Sequence, residues 1–111
     1  MIEDDEIFFE MTNLVKSHTG LPCIIWLSFK SPGQKAKILV QADYSQKLRK
    51  DLLFSITISN KPEISGDTAN LSPEDLEQLK NFVILNREVL MDFWNEVDPN
   101  ILSIIDRLRK T

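Results

Sequence analysis

Cysteine and histidine are almost absent from this sequence of 111 residues, which contains one of each, Cys23 and His18. A single cysteine cannot form an internal disulfide, and the two residues together cannot complete a structural zinc site. Cys23 opens an apolar segment, where a thiol packs as a small hydrophobic group, and no third group is apparent that would orient His18 as a base. The sequence therefore predicts no cofactor, no metal and no Cys–His catalytic pair.

Glycine is also scarce, and no apolar run is long enough to cross a membrane. The three glycines, Gly20, Gly33 and Gly66, lie too far apart to form a phosphate-binding loop. The first ten residues are acidic, whereas a secretory signal would be basic. These absences predict a cytoplasmic protein without a membrane partner.

The remaining composition is typical of globular proteins, with 42% hydrophobic and 27% charged residues. A chain of this length fits one domain whose core needs no disulfide. Residues 1–18 begin with five acids among the first ten positions, beside an apolar cluster that includes Phe8 and Phe9. We predict an acidic N-terminal arm or short helix over 1–18, followed by a single α+β domain over 19–111.

Several segments have the side-chain pattern of β-strands. Residues 23–29 are rich in β-branched and aromatic residues on both faces, which predicts an interior strand. A Pro-Gly turn then leads into a second predicted strand over 35–41. Residues 52–59 alternate apolar and polar side chains, which predicts a strand with one solvent-facing side. Residues 42–51 are predicted to form a loop, and 63–65 a short edge strand.

The second half of the chain has a helical pattern. Ser72 is a predicted N-cap, with Pro73 at the first helical position and Asp75 three residues after the cap. The next proline is Pro99, so we predict one helix over 73–97 and, after a cap at Asp98, a shorter helix over 100–110. The expected fold is α+β: a three- or four-stranded, mainly antiparallel sheet with the long helix packed on one face and the short C-terminal helix beside it.

Helical spacing divides the long helix into a core-facing side and an outer side. Two neighbouring apolar stripes predict the side that packs on the sheet. They comprise Leu76, Leu79, Val83, Leu90, Trp94 and Val97, and beside them Phe82, Leu85, Val89 and Phe93. Ile84 and Met91 lie on the opposite, polar side near Arg87, which predicts a second contact there. That contact is either the C-terminal helix, through its stripe of isoleucines and leucine, or another subunit.

Asn86 interrupts the apolar stripe between Val83 and Leu90, so its amide is predicted to be buried and hydrogen-bonded. Two interpretations are open: a buried amide that determines helix register, or part of a polar site with His18. An enzyme that uses His18, Asn86 or Arg87 in a pocket is the third function that the sequence allows.

Residues 30–50 hold six cations and one acid, although the whole chain has a net charge of −4. Cations on the outer side of a hairpin and loop can follow a phosphate backbone, which makes Lys35, Lys37, Arg49 and Lys50 candidate phosphate contacts. The competing explanation is that lysines on a strand hinder edge-to-edge pairing. Nucleic-acid binding is therefore the alternative function.

Two motifs resemble those of a group of short uncharacterised bacterial proteins. T-G-L-P at 19–22 precedes the strand that contains Trp26, and L-N-R-E-V-L-M-D-F-W-N at 85–95 is similar to the L-N-x-x-x-L-x-D-[YF]-W-N helix of that group. The resemblance covers most of residues 19–95 and implies a bacterial α+β protein without an established activity. The group tends to carry Arg-His-Asp before its second strand, where this sequence has Gln34, Lys35 and Ala36.

The leading functional prediction is a small cytoplasmic bacterial protein that binds another protein or itself, as a homodimer, without catalysis. The predicted interface uses the outer side of the long helix, the N-terminal arm or an exposed sheet edge. Its residues are Phe8, Phe9, Ile84, Arg87 and Met91.

Overall fold

The computed structural model describes residues 12–42, 53–68 and 71–110. These ranges form strands β1 (Thr12–Leu14), β2 (Ile24–Leu27), β3 (Lys37–Gln41), β4 (Leu53–Thr57) and β5 (Ile64–Ser65), and helices α1 (Lys16–Thr19), α2 (Pro73–Leu85), α3 (Arg87–Trp94) and α4 (Ile101–Arg107). The predicted α+β class is confirmed. No helix within these ranges is long and apolar enough to cross a membrane.

The described strands form one sheet in the order β1-β2-β3-β4-β5, and every neighbouring pair is antiparallel. This number exceeds the three or four strands expected, and the additional strand is β1. Its three residues, Thr12–Leu14, are too few for an alternating pattern to be recognised in the sequence. Because β1 pairs with β2, the segment 23–29 lies inside the sheet, as its apolar character on both faces predicts.

One face of the sheet packs against the helices. Leu14, Ile25, Val40 and Phe54 face one another across β1 to β4, and all four belong to the buried core. The same core contains the buried face of α2, α3 and α4. A helical layer on one side of an antiparallel sheet is the arrangement that the order of elements predicts.

The opposite face of the sheet is more buried than the sequence suggests. Trp26 is 8% exposed, and its indole Nε1 donates to the Oε1 of the fully buried Gln41 at 3.1 Å. Ser55 and Thr57, which the alternation places toward solvent, are half-buried. The predicted alternation of β4 is confirmed, since Phe54 and Ile56 are buried, while the outward side chains are only partly exposed because β4 lies between β3 and β5.

Helix α2 begins where its sequence predicts. The Asp75 backbone N–H donates to the Ser72 hydroxyl at 3.1 Å, and the Ser72 N–H donates to the Asp75 carboxylate at 3.3 Å. These reciprocal bonds satisfy two donors that a helix start otherwise leaves unpaired. The capping box is confirmed.

The single helix predicted over 73–97 is two helices that meet at Asn86. The backbone N–H of Asn86 donates to the Phe82 carbonyl at 3.0 Å, and the N–H of Leu90 donates to the Asn86 carbonyl at 2.9 Å. The chain therefore continues across the interruption without folding back. One buried face runs through both helices, comprising Leu79, Phe82, Val83, Asn86, Leu90, Phe93 and Trp94. Leu85 and Val97, predicted to lie on this face, are exposed.

Helix α3 ends in a Schellman motif whose left-handed residue is Glu96, with φ 60°. The Val97 N–H donates to the Asp92 carbonyl at 2.8 Å and the Glu96 N–H to the Phe93 carbonyl at 3.0 Å. Glycine normally occupies this position, because a β carbon is strained at positive φ. The apolar contact that often accompanies the motif is missing, since Val97 is 73% exposed.

The C-terminal helix is shorter than predicted and has a different cap. Asn100, and not Asp98, accepts hydrogen bonds from the backbone N–H groups of Leu102 and Ser103, at 3.0 and 3.4 Å. The helix ends at Arg107, because Leu108 adopts an extended conformation with φ −67° and ψ 143°. The predicted apolar stripe of this helix is confirmed, since Ile104 is fully buried.

Replacing Glu96 by glycine tests the strain at the end of α3. We expect Glu96→Gly to raise the free energy of unfolding by about 1 kcal/mol, because glycine removes the β-carbon strain at this φ. Urea denaturation followed by circular dichroism measures the change. Asn95→Gly is the matched control, since Asn95 has φ −86° and gains nothing from glycine. Equal effects of the two substitutions would argue against strain at Glu96.

Candidate functional site

The buried amide of Asn86 binds the chain that follows α4. Its Nδ2 donates to the Arg109 carbonyl at 2.8 Å and to the Phe82 carbonyl at 3.0 Å, while its Oδ1 accepts from the Arg109 N–H at 2.7 Å. Asn86 is 1% exposed. Two of these bonds hold both backbone groups of one residue in an extended segment, so Asn86 recognises main chain and not a side chain. Among the two interpretations left open by the sequence, the contacts found are those of a buried, hydrogen-bonded amide.

A second polar contact fastens the other side of α4. The Arg107 guanidinium donates to the Asp92 carboxylate at 2.7 Å and to the Asp98 carboxylate at 3.0 Å. Asp98 also accepts from the Ser103 hydroxyl at 2.7 Å. These side chains are partly exposed, so each ion pair contributes modestly, but together they orient α4 on α3.

The end of α3 also holds the loop between β2 and β3. The Phe93 ring stacks on Phe29 with 4.8 Å between ring centroids, and the Lys30 N–H donates to the Trp94 carbonyl at 2.7 Å. With Asn86 and Asp92 bound to the α4 side, most of the motif at 85–95 serves internal contacts.

An exposed apolar pair lies at the break between α2 and α3. Ile84 is 45% and Leu85 is 47% exposed. Arg87 follows the break, Asn86 within it binds the backbone of Arg109, and Lys110 is the next residue; all three cations are exposed. We call these five residues the break surface. Large apolar side chains with this exposure beside one another are typical of contact sites.

Met91, another predicted interface residue, does not share this surface. Met91 is half-buried and packs against the hydrophobic core, although the sequence places it on the outer side with Ile84. Phe8 and Phe9 lie outside the described residues. Of the five predicted interface residues, the structure therefore brings together Ile84 and Arg87.

His18 and Cys23 occupy separate local environments. The Nδ1 of His18 accepts from the Val15 N–H at 3.1 Å, which closes the single turn of α1. Cys23 is 1% exposed, and burial, with a smaller effect of Asp75, raises the pKa of its thiol to about 12. A thiol with this pKa stays protonated at neutral pH and is a weak nucleophile. No group of three metal-ligating side chains occurs in the described part of the chain.

Two of the four candidate phosphate contacts, Lys35 and Lys37, lie within the described residues. Lys35 is exposed in the loop between β2 and β3, and Lys37 is half-buried at the start of β3, opposite Thr57. Arg49 and Lys50 lie outside the described residues. Of the two candidates within the described residues, Lys35 is exposed and Lys37 is half-buried.

Sequence reasoning missed three features of this region. Arg107 was not recognised as a partner of Asp92, because the two residues are 15 positions apart and lie on different helices. The exposure of Leu85 and of Leu102, which is 70% exposed, was not foreseen either. The asparagine within the apolar stripe is the signal that could have revealed the interruption, since an asparagine side chain competes for helical backbone groups.

Comparisons of the chain with protein families, with curated proteins and with solved structures found no match. The geometry described above is therefore the basis for assigning a function.

Replacing Asn86 by aspartate tests the amide clamp. Asn86→Asp keeps the size and the acceptor for the Arg109 N–H but places a carboxylate against two carbonyl oxygens. We expect a loss of about 3 kcal/mol in the free energy of unfolding, because a buried charge then lacks a partner. Asn81→Asp, on an exposed position of α2, is the control and should change stability little in urea denaturation. A similar small effect at Asn86 would contradict the clamp.

The decrease in the free energy of unfolding at acid pH tests the contacts of Asp98. The Ser103 hydroxyl bond, supported by Arg107 and opposed by desolvation, lowers the pKa of Asp98 below its ordinary value. The resulting stability is complete above the ordinary pKa of 3.8 and is lost as the pH falls through the lower pKa of the folded chain. We expect Ser103→Ala to flatten this part of the curve of unfolding free energy against pH. Ser31→Ala, in an exposed loop, should leave the curve unchanged, and an unaltered acid limb in both variants would rule out the Ser103 contribution.

Proposed function

We propose that this protein is a non-catalytic binding module that contacts another protein or a second copy of itself through the break surface. The observation that carries the proposal is the exposed pair Ile84 and Leu85 beside a helix break whose geometry is held by Asn86. Fully burying one such side chain contributes about 1.5–3 kcal/mol, so a partner that covers both gains a useful part of its binding energy there.

The charge around the apolar pair indicates the chemistry of the partner surface. Arg87, Arg109 and Lys110 are exposed on the break surface, with Glu88 as the neighbouring acid. An apolar centre with a mainly cationic rim fits a partner surface that carries an apolar side chain flanked by carboxylates.

The positions of the polar candidates also favour binding over catalysis. The Asn86 amide is hydrogen-bonded to backbone groups, the His18 Nδ1 accepts from a backbone N–H of its own helical turn, and the Cys23 thiol is buried. Each of these assignments is sufficient to explain the residue by structure alone. We retain a cytoplasmic bacterial setting as part of the proposal, supported by the lone cysteine and by the motifs at 19–22 and 85–95.

A charge placed in the apolar centre tests the proposal. We expect Ile84→Asp to abolish the concentration-dependent increase in mass measured by light scattering, or the capture of a partner that the unmodified chain retains, because an aspartate would have to be buried unpaired. The test requires that the Ile84→Asp variant stays folded, and circular dichroism checks this.

The matched control is Gln78→Asp, which adds the same charge at an exposed position of α2 away from the break. It should behave like the unmodified chain. Binding that survives Ile84→Asp and a parallel Leu85→Asp would exclude the break surface as the contact site.

A further inference from the structure

We infer that the α4 segment, residues 101–110, is exchanged between two copies of the chain, so that each copy docks its segment onto the α3 helix of the other. This inference deepens the proposed function: it rests on self-association and names the partner as a second copy. The exchange depends on docking of the α4 segment onto α3, whereas the proposed function depends on burial of Ile84 and Leu85, so a substitution of Ile84 separates the two ideas although Arg109 and Lys110 belong to both.

The contacts of the α4 segment are specific and are carried by few groups. Arg109 binds Asn86 through both of its backbone groups, Arg107 binds Asp92, and Ile104 is fully buried in the core. Every one of these contacts joins the segment to the rest of the domain. The same contacts form when the segment comes from a second copy, so an exchanged dimer keeps the hydrogen bonds, the ion pair and the apolar packing between the segment and the domain.

The connection to the segment is short and holds a strained residue. Only the residues between Trp94 and Ile101 separate α3 from α4, and Glu96 among them has a φ of 60°. A helical φ at Glu96 would remove this strain and carry α3 straight on, which directs the α4 segment away from its own domain. Short connections under strain favour exchange of the element that follows them.

The contacts of Asp98 locate the hinge. Asp98 binds Ser103 and Arg107, both within the exchanged part, so these bonds move with the segment. The hinge therefore lies at Asn95–Val97, where the bonds to be broken are those from Val97 and Asp98 to the Asp92 carbonyl and from Glu96 to the Phe93 carbonyl.

An independent observation is the exposure of apolar residues beside this hinge. Val97 is 73% and Leu102 is 70% exposed, the highest values among the exposed large apolar side chains of the described residues. In an exchanged dimer the two connections run beside each other, because each crosses from one domain to the other. Val97 and Leu102 of both copies then become available to cover one another, which supplies apolar contact that a closed monomer lacks.

The first experiment changes the hinge strain. Since strain at one left-handed residue corresponds to about tenfold in an equilibrium constant, and an exchanged dimer relieves it twice, Glu96→Gly should weaken dimerisation by about a hundredfold. Sedimentation equilibrium of the full chain measures the constant after equilibration at raised temperature. Asn95→Gly is the control and leaves the constant within severalfold of the unmodified value.

The second experiment exchanges a charge pair between copies. One variant carries Asp92→Arg and the other carries Arg107→Asp, so each has like charges between α3 and α4 in every closed domain. When the two are mixed in urea and refolded together, an exchanged heterodimer pairs Asp92 of one copy with Arg107 of the other and reverses the pair in the second domain. Native mass spectrometry should then find heterodimers well above random pairing, even where each variant alone folds poorly.

The outcomes separate the two ideas. A chain that is monomeric at every concentration overturns the exchange, as do heterodimers at the frequency of random pairing together with an unchanged constant for Glu96→Gly. If the chain forms a dimer with heterodimers only at the random frequency and an unchanged constant for Glu96→Gly, and that dimer is lost in Ile84→Asp, the break surface remains the contact. Excess heterodimers that persist in the Ile84→Asp background establish the exchange and remove the break surface from it.

Discussion

The amide of Asn86 is the interaction on which the arrangement of the helices depends. It binds one carbonyl within its own helix and both backbone groups of Arg109, 23 positions further along the chain. A buried amide with all of these bonds is stable, whereas the same amide without the Arg109 segment would lack partners in an apolar layer. The helix break and the path of the chain after α4 are therefore two consequences of one hydrogen-bonding requirement.

The break lies next to exposed apolar side chains. Leu85 was predicted to lie on the buried face, but that face runs through Leu79, Phe82, Val83 and Asn86, and Leu85 is exposed with Ile84 at the end of α2. The backbone of Arg109, an exposed cation, is bound at Asn86. The surface that we associate with binding thus lies next to the polar contact of Asn86.

The described part of the chain also shows an uneven distribution of strain. The start of α2 has a favourable capping box at Ser72, while the end of α3 places Glu96 where glycine would be relaxed. Since the residues after Glu96 are fastened to α3 by Asp92 and Asn86, the strained turn is maintained by contacts elsewhere. A fold that depends on distant contacts to hold a turn is open to satisfying them from another copy.

Local patterns were sufficient to predict the α+β class, the strands at 23–29, 35–41 and 52–59, and the start of α2, because alternation and capping act over a few residues. They also predicted that Ile84 lies on the outer side and that Asn86 is buried. Local patterns did not predict the break, the short strand β1, the cap at Asn100 or the exposure of Leu85 and Val97. The break and β1 involve partners far away in the sequence, namely Arg109 for Asn86 and β2 for Thr12–Leu14. The amino-acid sequence by itself determined which segments coil and which extend, since that choice is made by neighbouring side chains. Only the tertiary structure decided where the long helix is interrupted and which apolar side chains face solvent, because those outcomes require the chain to return to itself.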